Sequence, residues 1–221
     1  ALLISFNNSK AIAESSQDLL KVDWSFKSFI GKFDRASLQR GYQVYNEVCA
    51  SCHSMKYLSY RNLAEKGGPE FSEEEAKAIA SNFEVLDGPD STGEMFTRNA
   101  RLSDKFVMPY ANEEEAKSSN GGAYPPDMSV LVKARSGGAD YIYSLLLGYE
   151  DPPADVKLDD GVYYNKYMYG NKIKMSAPLS DDLIEYSDGT KATTEQMAKD
   201  VVSFLMWAAE PHLEQRHKFG F

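Results

Sequence analysis

Residues 49–53 read Cys49-Ala50-Ser51-Cys52-His53, and these two cysteines are the only ones in a chain of 221 residues. Three chemistries use a C-x-x-C pair: a redox dithiol, half of a zinc site, and covalent attachment of haem c. A structural zinc site needs four ligands, and the remaining histidines, His212 and His217, lie far along the chain, beyond its last long helical stretch. A thioredoxin-type pair opens a helix, whose N-terminus lowers a thiol pKa. This pair instead closes one. Covalent haem accounts for all three residues together, because positions i, i+3 and i+4 of a helix share one face. Both sulfurs can then reach the two vinyl groups while His53 projects toward the iron.

Upstream of the motif, Asp34 is placed to cap a helix running through R-A-S-L-Q-R-G-Y-Q-V-Y-N-E-V into the cysteines. Its apolar stripe is Leu38, Tyr42, Tyr45, Val48, Cys49 and Cys52, which puts the motif at the helix end and on the buried face. Downstream, Gly67-Gly68-Pro69 breaks the chain, and S-E-E-E-A-K-A-I-A-S-N-F predicts a second helix with an acidic first turn. Residues 86–128, rich in Gly, Pro, Asn and Asp, read as long loops of the kind that serve a site. Two short helices are predicted over 129–135 and 139–148, followed by loop and turn over 149–192. The last long helix begins at Thr193, which with Gln196 fits a capping box, and Pro211 closes it. Its stripe is Met197, Val201, Phe204, Leu205 and Ala208. Gly41 and Tyr45 of the first helix are expected to cross this one near Phe204 and Trp207, the glycine permitting close approach.

The composition suits a globular chain with enough aromatic surface to wall a large cofactor: 43% apolar, 26% charged and 12% aromatic residues. A net charge of −9 excludes a nucleic-acid binder and favours a basic partner. The acid runs are Glu73 to Glu75, Glu113 to Glu115 and Asp159-Asp160. No stretch reaches the ~20 apolar residues of a membrane-spanning helix. The start, A-L-L-I-S-F-N-N-S-K-A-I-A-E, carries Ala11-Ile12-Ala13 in the A-x-A pattern of an export signal.

An iron that carries electrons without binding gases needs a sixth ligand, and methionine raises its potential relative to histidine. Met55 follows His53 too closely to reach the opposite side of the ring, and Met197 and Met206 belong to the last helix. Met95, Met108, Met128, Met168 and Met175 lie in irregular stretches, and spacing does not choose among them. Met175, in K-I-K-M-S-A-P-L, has a proline nearby to stiffen its loop.

Six ordered segments now stand out: R-G-Y-Q-V-Y-N-E-V-C-A-S-C-H-S-M-K, D-G-P-D-S-T-G-E-M-F, N-G-G-A-Y-P-P-D-M-S, A-R-S-G-G-A-D-Y-I-Y-S-L-L, M-S-A-P-L and F-L-M-W-A-A-E-P. Together they resemble the cytochrome c1 family, the haem subunits of quinol:cytochrome c oxidoreductase, over roughly residues 23–221. The resemblance implies a mainly α, class I cytochrome c-like fold with long loop excursions. It implies that Cys49 and Cys52 bond haem c, with His53 and Met175 as axial ligands. Asn120, Pro125 and Pro126 would line the pocket, Arg135 would face a propionate, and Tyr141 would pack nearby. The implied partners are cytochrome b, a Rieske iron-sulfur protein as donor and a soluble cytochrome c as acceptor. The implied place is the periplasmic or mitochondrial intermembrane-space face of an energy-transducing membrane.

On this reading 1–22 is a signal-derived N-terminal segment, 23–210 the haem domain, and 211–221 the lead-in to a C-terminal membrane anchor. The family carries such an anchor, and this sequence stops at H-K-F-G-F, where it should begin. Two rival readings remain: a freely shuttling periplasmic cytochrome, and a haem peroxidase, which keeps its sixth position open. A haem-free thiol oxidoreductase is a third, and requires free or disulfide-linked cysteines.

Overall fold

The computed structural model describes residues 18–220, so the A-x-A pattern at Ala11 to Ala13 lies outside the described residues. Among them are six α-helices and two small two-stranded sheets, and no helix is long and apolar enough to cross a membrane. Helix α1 is Arg35–Val44, capped by Asp34, whose side chain accepts from the Ser37 N–H. It does not continue as an α-helix into the cysteines. At Tyr45–Cys49 the coil widens to a π-helical turn, closed by Ala50 N–H donating to the Tyr45 carbonyl at 2.8 Å. One inserted residue re-aims everything after it, a device common at functional sites.

Helix α2, Glu73–Ser81, starts as expected on Ser72 with a complete capping box to Glu75. The stretch read as long loops holds more order than its composition suggests. Strands β1 (Glu84–Asp87) and β2 (Phe96–Asn99) form an antiparallel hairpin with Asp87 opposite Phe96. Helix α3 (Glu113–Ser119) follows, its acidic first turn headed by Asn112, which accepts from Glu115 N–H. The acid runs of α2 and α3 thus sit on helix N-termini, where the backbone's positive end favours them.

The predicted helix over 129–135 is absent: those residues form successive turns, tied by bonds such as Ala134 N–H to the Val130 carbonyl. Two glycines, Gly137 and Gly138, have φ of 81° and 55°, which turns the chain into α4, Gly138–Leu147. Strands β3 (Tyr163–Tyr164) and β4 (Lys172–Ile173) pair as a short hairpin. Helix α5, Thr194–Ala209, has only half of its predicted capping box. Thr193 Oγ1 accepts from Gln196 N–H, but the Gln196 side chain turns inward to donate to the buried Asp200 at 2.9 Å, and the Thr193 N–H donates to the Lys191 carbonyl at 3.0 Å instead. Helix α6, Leu213–Phe219, is docked rather than free: Leu213 is buried, and Glu214 takes a bidentate pair from Arg35 at 2.7 and 2.8 Å.

The core is the crossing of α1 with α5, with α4 against the other side of α5. A Cβ on Gly41 would strike the Asp200 carbonyl and come within 2.7 Å of Phe204 Cβ, so the backbones touch where glycine allows it. Tyr42 and Tyr45 bring their rings to 5.7 and 5.9 Å from Phe204. Trp207 sits one turn on, against Phe204 and Gly68 rather than at the crossing itself. Residues from 20 to 27 lie along α4, where Trp24 Nε1 and Lys27 Nζ both donate to Asp140, at 2.6 and 2.8 Å.

Candidate functional site

The π-helical turn delivers Cys49 at the end of α1, and the next residues close a single tight loop. Cys52 N–H donates to the Cys49 carbonyl at 3.1 Å and His53 N–H to the same oxygen at 2.9 Å. The two thiols and the imidazole therefore belong to one turn, as their spacing requires. Both cysteines are free thiols and half-buried; desolvation, with a lesser push from Cys52, raises the Cys49 thiol to about 12. A redox dithiol needs the opposite, a lowered thiol pKa. Among the described residues no cluster of His, Cys, Asp and Glu could hold a metal ion, and His217 is engaged elsewhere, on the Gly31 carbonyl at 3.0 Å.

His53 is buried, and its Nδ1 lies 2.8 Å from the Pro126 carbonyl. A carbonyl can only accept, so Nδ1 carries the proton and Nε2 is the lone-pair nitrogen left for a metal. Such an outer hydrogen bond fixes tautomer and ring direction in metal-ligating histidines. Desolvation lowers the His53 pKa, against the raising effect of that bond, which keeps the ring neutral and able to ligate. Tyr45 Oη adds a bond to the His53 carbonyl at 3.2 Å.

Pro126 is held in turn by a residue that sequence reasoning did not single out. Asp127 accepts from Ser54 Oγ at 2.8 Å, Lys56 N–H at 3.0 Å and Ser129 N–H at 2.9 Å. Met128 N–H closes the seam on the Ser54 carbonyl at 2.8 Å. Burial opposes ionisation of Asp127, and the hydrogen bonds outweigh it, so its pKa is lowered. Its only sequence signal was its place directly after Pro125-Pro126.

Pro125 and Cys52 line a groove of about 200 Å³ with Met108, Tyr110, Glu113 and Tyr124. Asn120 follows α3 and donates to Tyr110 Oη at 3.0 Å and to the Ala116 carbonyl at 2.7 Å, so it fastens the groove's helical wall. Arg135 is exposed, and its guanidinium donates to the neighbouring Ala134 carbonyl at 3.1 Å rather than to a carboxylate among the described residues. Its charge lowers the Tyr141 pKa slightly against the larger raising effect of burial, which places the two side chains near one another. Tyr141 Oη lies 3.7 Å from Met168 Sδ. Met175 is half-buried, its carbonyl bound by Tyr149 Oη at 3.0 Å. Of the other methionines, Met55, Met128 and Met197 are buried in the core, while Met95 and Met108 are exposed.

A C-x-x-C-H turn whose histidine is anchored through Nδ1 and keeps Nε2 open defines a c-type cofactor site. The model of the Cytochrome C1 family matches residues 24–221. The chain is 49% identical to "Cytochrome c1 1, heme protein, mitochondrial" of Arabidopsis thaliana, over 99% of this chain and 71% of that protein. It is 47% identical to "Cytochrome c1" of Rhodospirillum rubrum, over 94% and 81%. With the "Cytochrome b-c1 complex catalytic subunit, mitochondrial" of Candida albicans it shares 51% over 90% and 68%. The chain belongs to the cytochrome C1 family.

Proposed function

We propose that this chain is the haem c electron carrier of a quinol:cytochrome c oxidoreductase, taking single electrons from a Rieske iron-sulfur protein and passing them to a soluble cytochrome c. The observation that carries this is the 2.8 Å contact between His53 Nδ1 and the Pro126 carbonyl, set one turn from two free thiols. Cys49 and Cys52 would hold haem c through thioether bonds, and His53 Nε2 and Met175 Sδ would ligate its iron. Bound there, haem c supplies a reversible one-electron couple. The chain's own residues would orient it: Pro125, Pro126 and Asn120 would line its pocket, Arg135 would pair a propionate through its guanidinium fork, and Tyr141 would pack nearby.

The relative named as a b-c1 complex subunit supports cytochrome b as the neighbouring subunit. We assign the haem domain to residues 23–210, with the α1–α5 crossing at Gly41 as the mark of a class I cytochrome c arrangement. Residues 211–221 lead toward a membrane helix, which holds the domain on the periplasmic or intermembrane-space face.

The test is the visible spectrum of the oxidised and reduced protein, with acid extraction of the haem. Haem that resists extraction, with the weak far-red band of methionine-bound ferric haem, is the expected result. Extractable haem overturns the thioether assignment. Covalent haem without the band overturns Met175 as ligand and points to an open site.

A further inference from the structure

The loop that carries Met175 has no regular element of its own, yet a sixth ligand must be held at a fixed distance from His53. Met175 lies two residues beyond β4, and among the described residues no backbone N–H reaches its carbonyl. The tie comes from Tyr149, whose hydroxyl donates to that carbonyl at 3.0 Å.

Tyr149 is itself fixed from below. It follows Gly148, where α4 ends, and at Gly148 a Cβ would fall within 2.6 Å of both Asn165 Oδ1 and Tyr167 Cδ2. Its backbone forms an isolated antiparallel bridge with Asn165. Asn165 is fully buried and spends its side chain on this junction: Nδ2 donates to the Leu145 carbonyl at 2.7 Å, and Oδ1 accepts from Tyr167 N–H at 3.1 Å. Lys166 N–H adds a bond to the Gly148 carbonyl at 3.0 Å. From there β3 and β4 carry the chain back to Met175.

A continuous frame thus links the two sides of the site. The cysteine turn is rooted in α1, α1 crosses α5, α5 packs on α4, and Tyr149 follows the Gly148 cap of α4. We infer that Tyr149 is a positioning residue for the sixth ligand: its hydroxyl, fixed to the end of α4 by the Asn165 junction, holds the Met175 carbonyl and so keeps the methionine sulfur on the iron against exogenous ligands. This rests on Met175 being that ligand.

The experiment compares wild type, Tyr149→Phe, Met175→Leu and the double variant, all loaded with haem. Phenylalanine keeps the ring and the backbone bridge and removes only the hydroxyl. Cyanide must displace the methionine to bind ferric haem, so Tyr149→Phe should bind it about fivefold more tightly, the worth of one ordinary hydrogen bond. Its far-red band should weaken as well. In the Met175→Leu background, with no sulfur left to displace, Tyr149→Phe should change nothing. Equal cyanide affinity in wild type and Tyr149→Phe overturns the inference, and so does the same change in both backgrounds, which marks a merely structural role. A far-red band that survives in Met175→Leu overturns the ligand assignment instead.

Discussion

At the scale of single residues, the site is organised by hydrogen bonds to groups that carry no cofactor chemistry. Asp127 gathers Ser54, Lys56 and Ser129 around the peptide that presents the Pro126 carbonyl to His53. Replacing it by alanine strands two backbone N–H groups and a hydroxyl. We predict that Asp127→Ala loses about 2 kcal/mol of stability by urea unfolding, summing small penalties for partly solvated donors. Asp127→Asn, which still accepts from two of them, should lose about half as much. Equal stability of Asp127→Ala and wild type would show that the seam is held by packing alone.

At the scale of elements, the α1–α5 crossing decides where the cysteine turn points. Gly41 removes side-chain bulk at the contact, and Asp200, fully buried one helix away, accepts from Ser37 Oγ at 2.6 Å, Arg40 Nε at 2.8 Å and Gln196 Nε2 at 2.9 Å. Steric closeness and a buried ion pair thus fix the same junction. Gly41→Val should cost more than about 2 kcal/mol, since overpacking against backbone outweighs the helix propensity gained on leaving glycine. Asp200→Ala should cost about 3 kcal/mol, because Ser37, Arg40 and Gln196 lose the buried acceptor they share and Arg40 keeps only the exposed Asp188. Thermal melts of both variants check this, and a Tm within a degree of wild type for either would contradict the crossing as described.

At the scale of the whole molecule, charge governs both stability in acid and meeting with partners. Asp188 is held at about 2 by the Thr190 N–H and by Arg40. Burial opposes the ionisation of Asp140 and Glu214, but hydrogen bonds from Lys27 and Trp24 to the first, and from Arg35 to the second, hold both below the ordinary carboxylate range. Each of these groups binds protons more weakly folded than unfolded. Their contribution is therefore complete above about pH 5, clear of the unfolded carboxyl values, and is lost as pH falls through the folded values, near 2 for Asp188. Melts between pH 7 and 5 should show no change from these groups, with a steep fall in Tm below pH 4 that Asp188→Asn makes shallower.

The net charge of −9 also predicts salt-dependent capture of a basic carrier. Glu113 lines the groove beside Cys52, so neutralising Glu113 to Glu115 should flatten that dependence. Neutralising Glu73 to Glu75 is the matched control. Stopped-flow electron transfer, followed as the Debye length shrinks from ~30 Å to ~8 Å between ~0.01 and ~0.15 M salt, measures it. A rate that ignores ionic strength would remove steering.

The sequence by itself determined what depends on near neighbours along the chain. Asp34 and Ser72 cap their helices, and Cys49, Cys52 and His53 share one turn, because spacing and side-chain chemistry act over a few residues and show as a pattern. Four expectations failed. The end of α1 widens into a π-helical turn, and 129–135 forms turns bound through Ser129 Oγ to the Tyr57 N–H beyond the cysteine motif. Gln196 abandoned its cap for Asp200, a partner that lies on its own helix but is buried by α1. Helix α3 hid in a stretch whose Gly and Pro content suggested loop. Only the fold could bring Pro126 to His53 and Tyr149 to Met175, since those bonds join segments 73 and 26 residues apart and leave no periodic trace in composition or spacing.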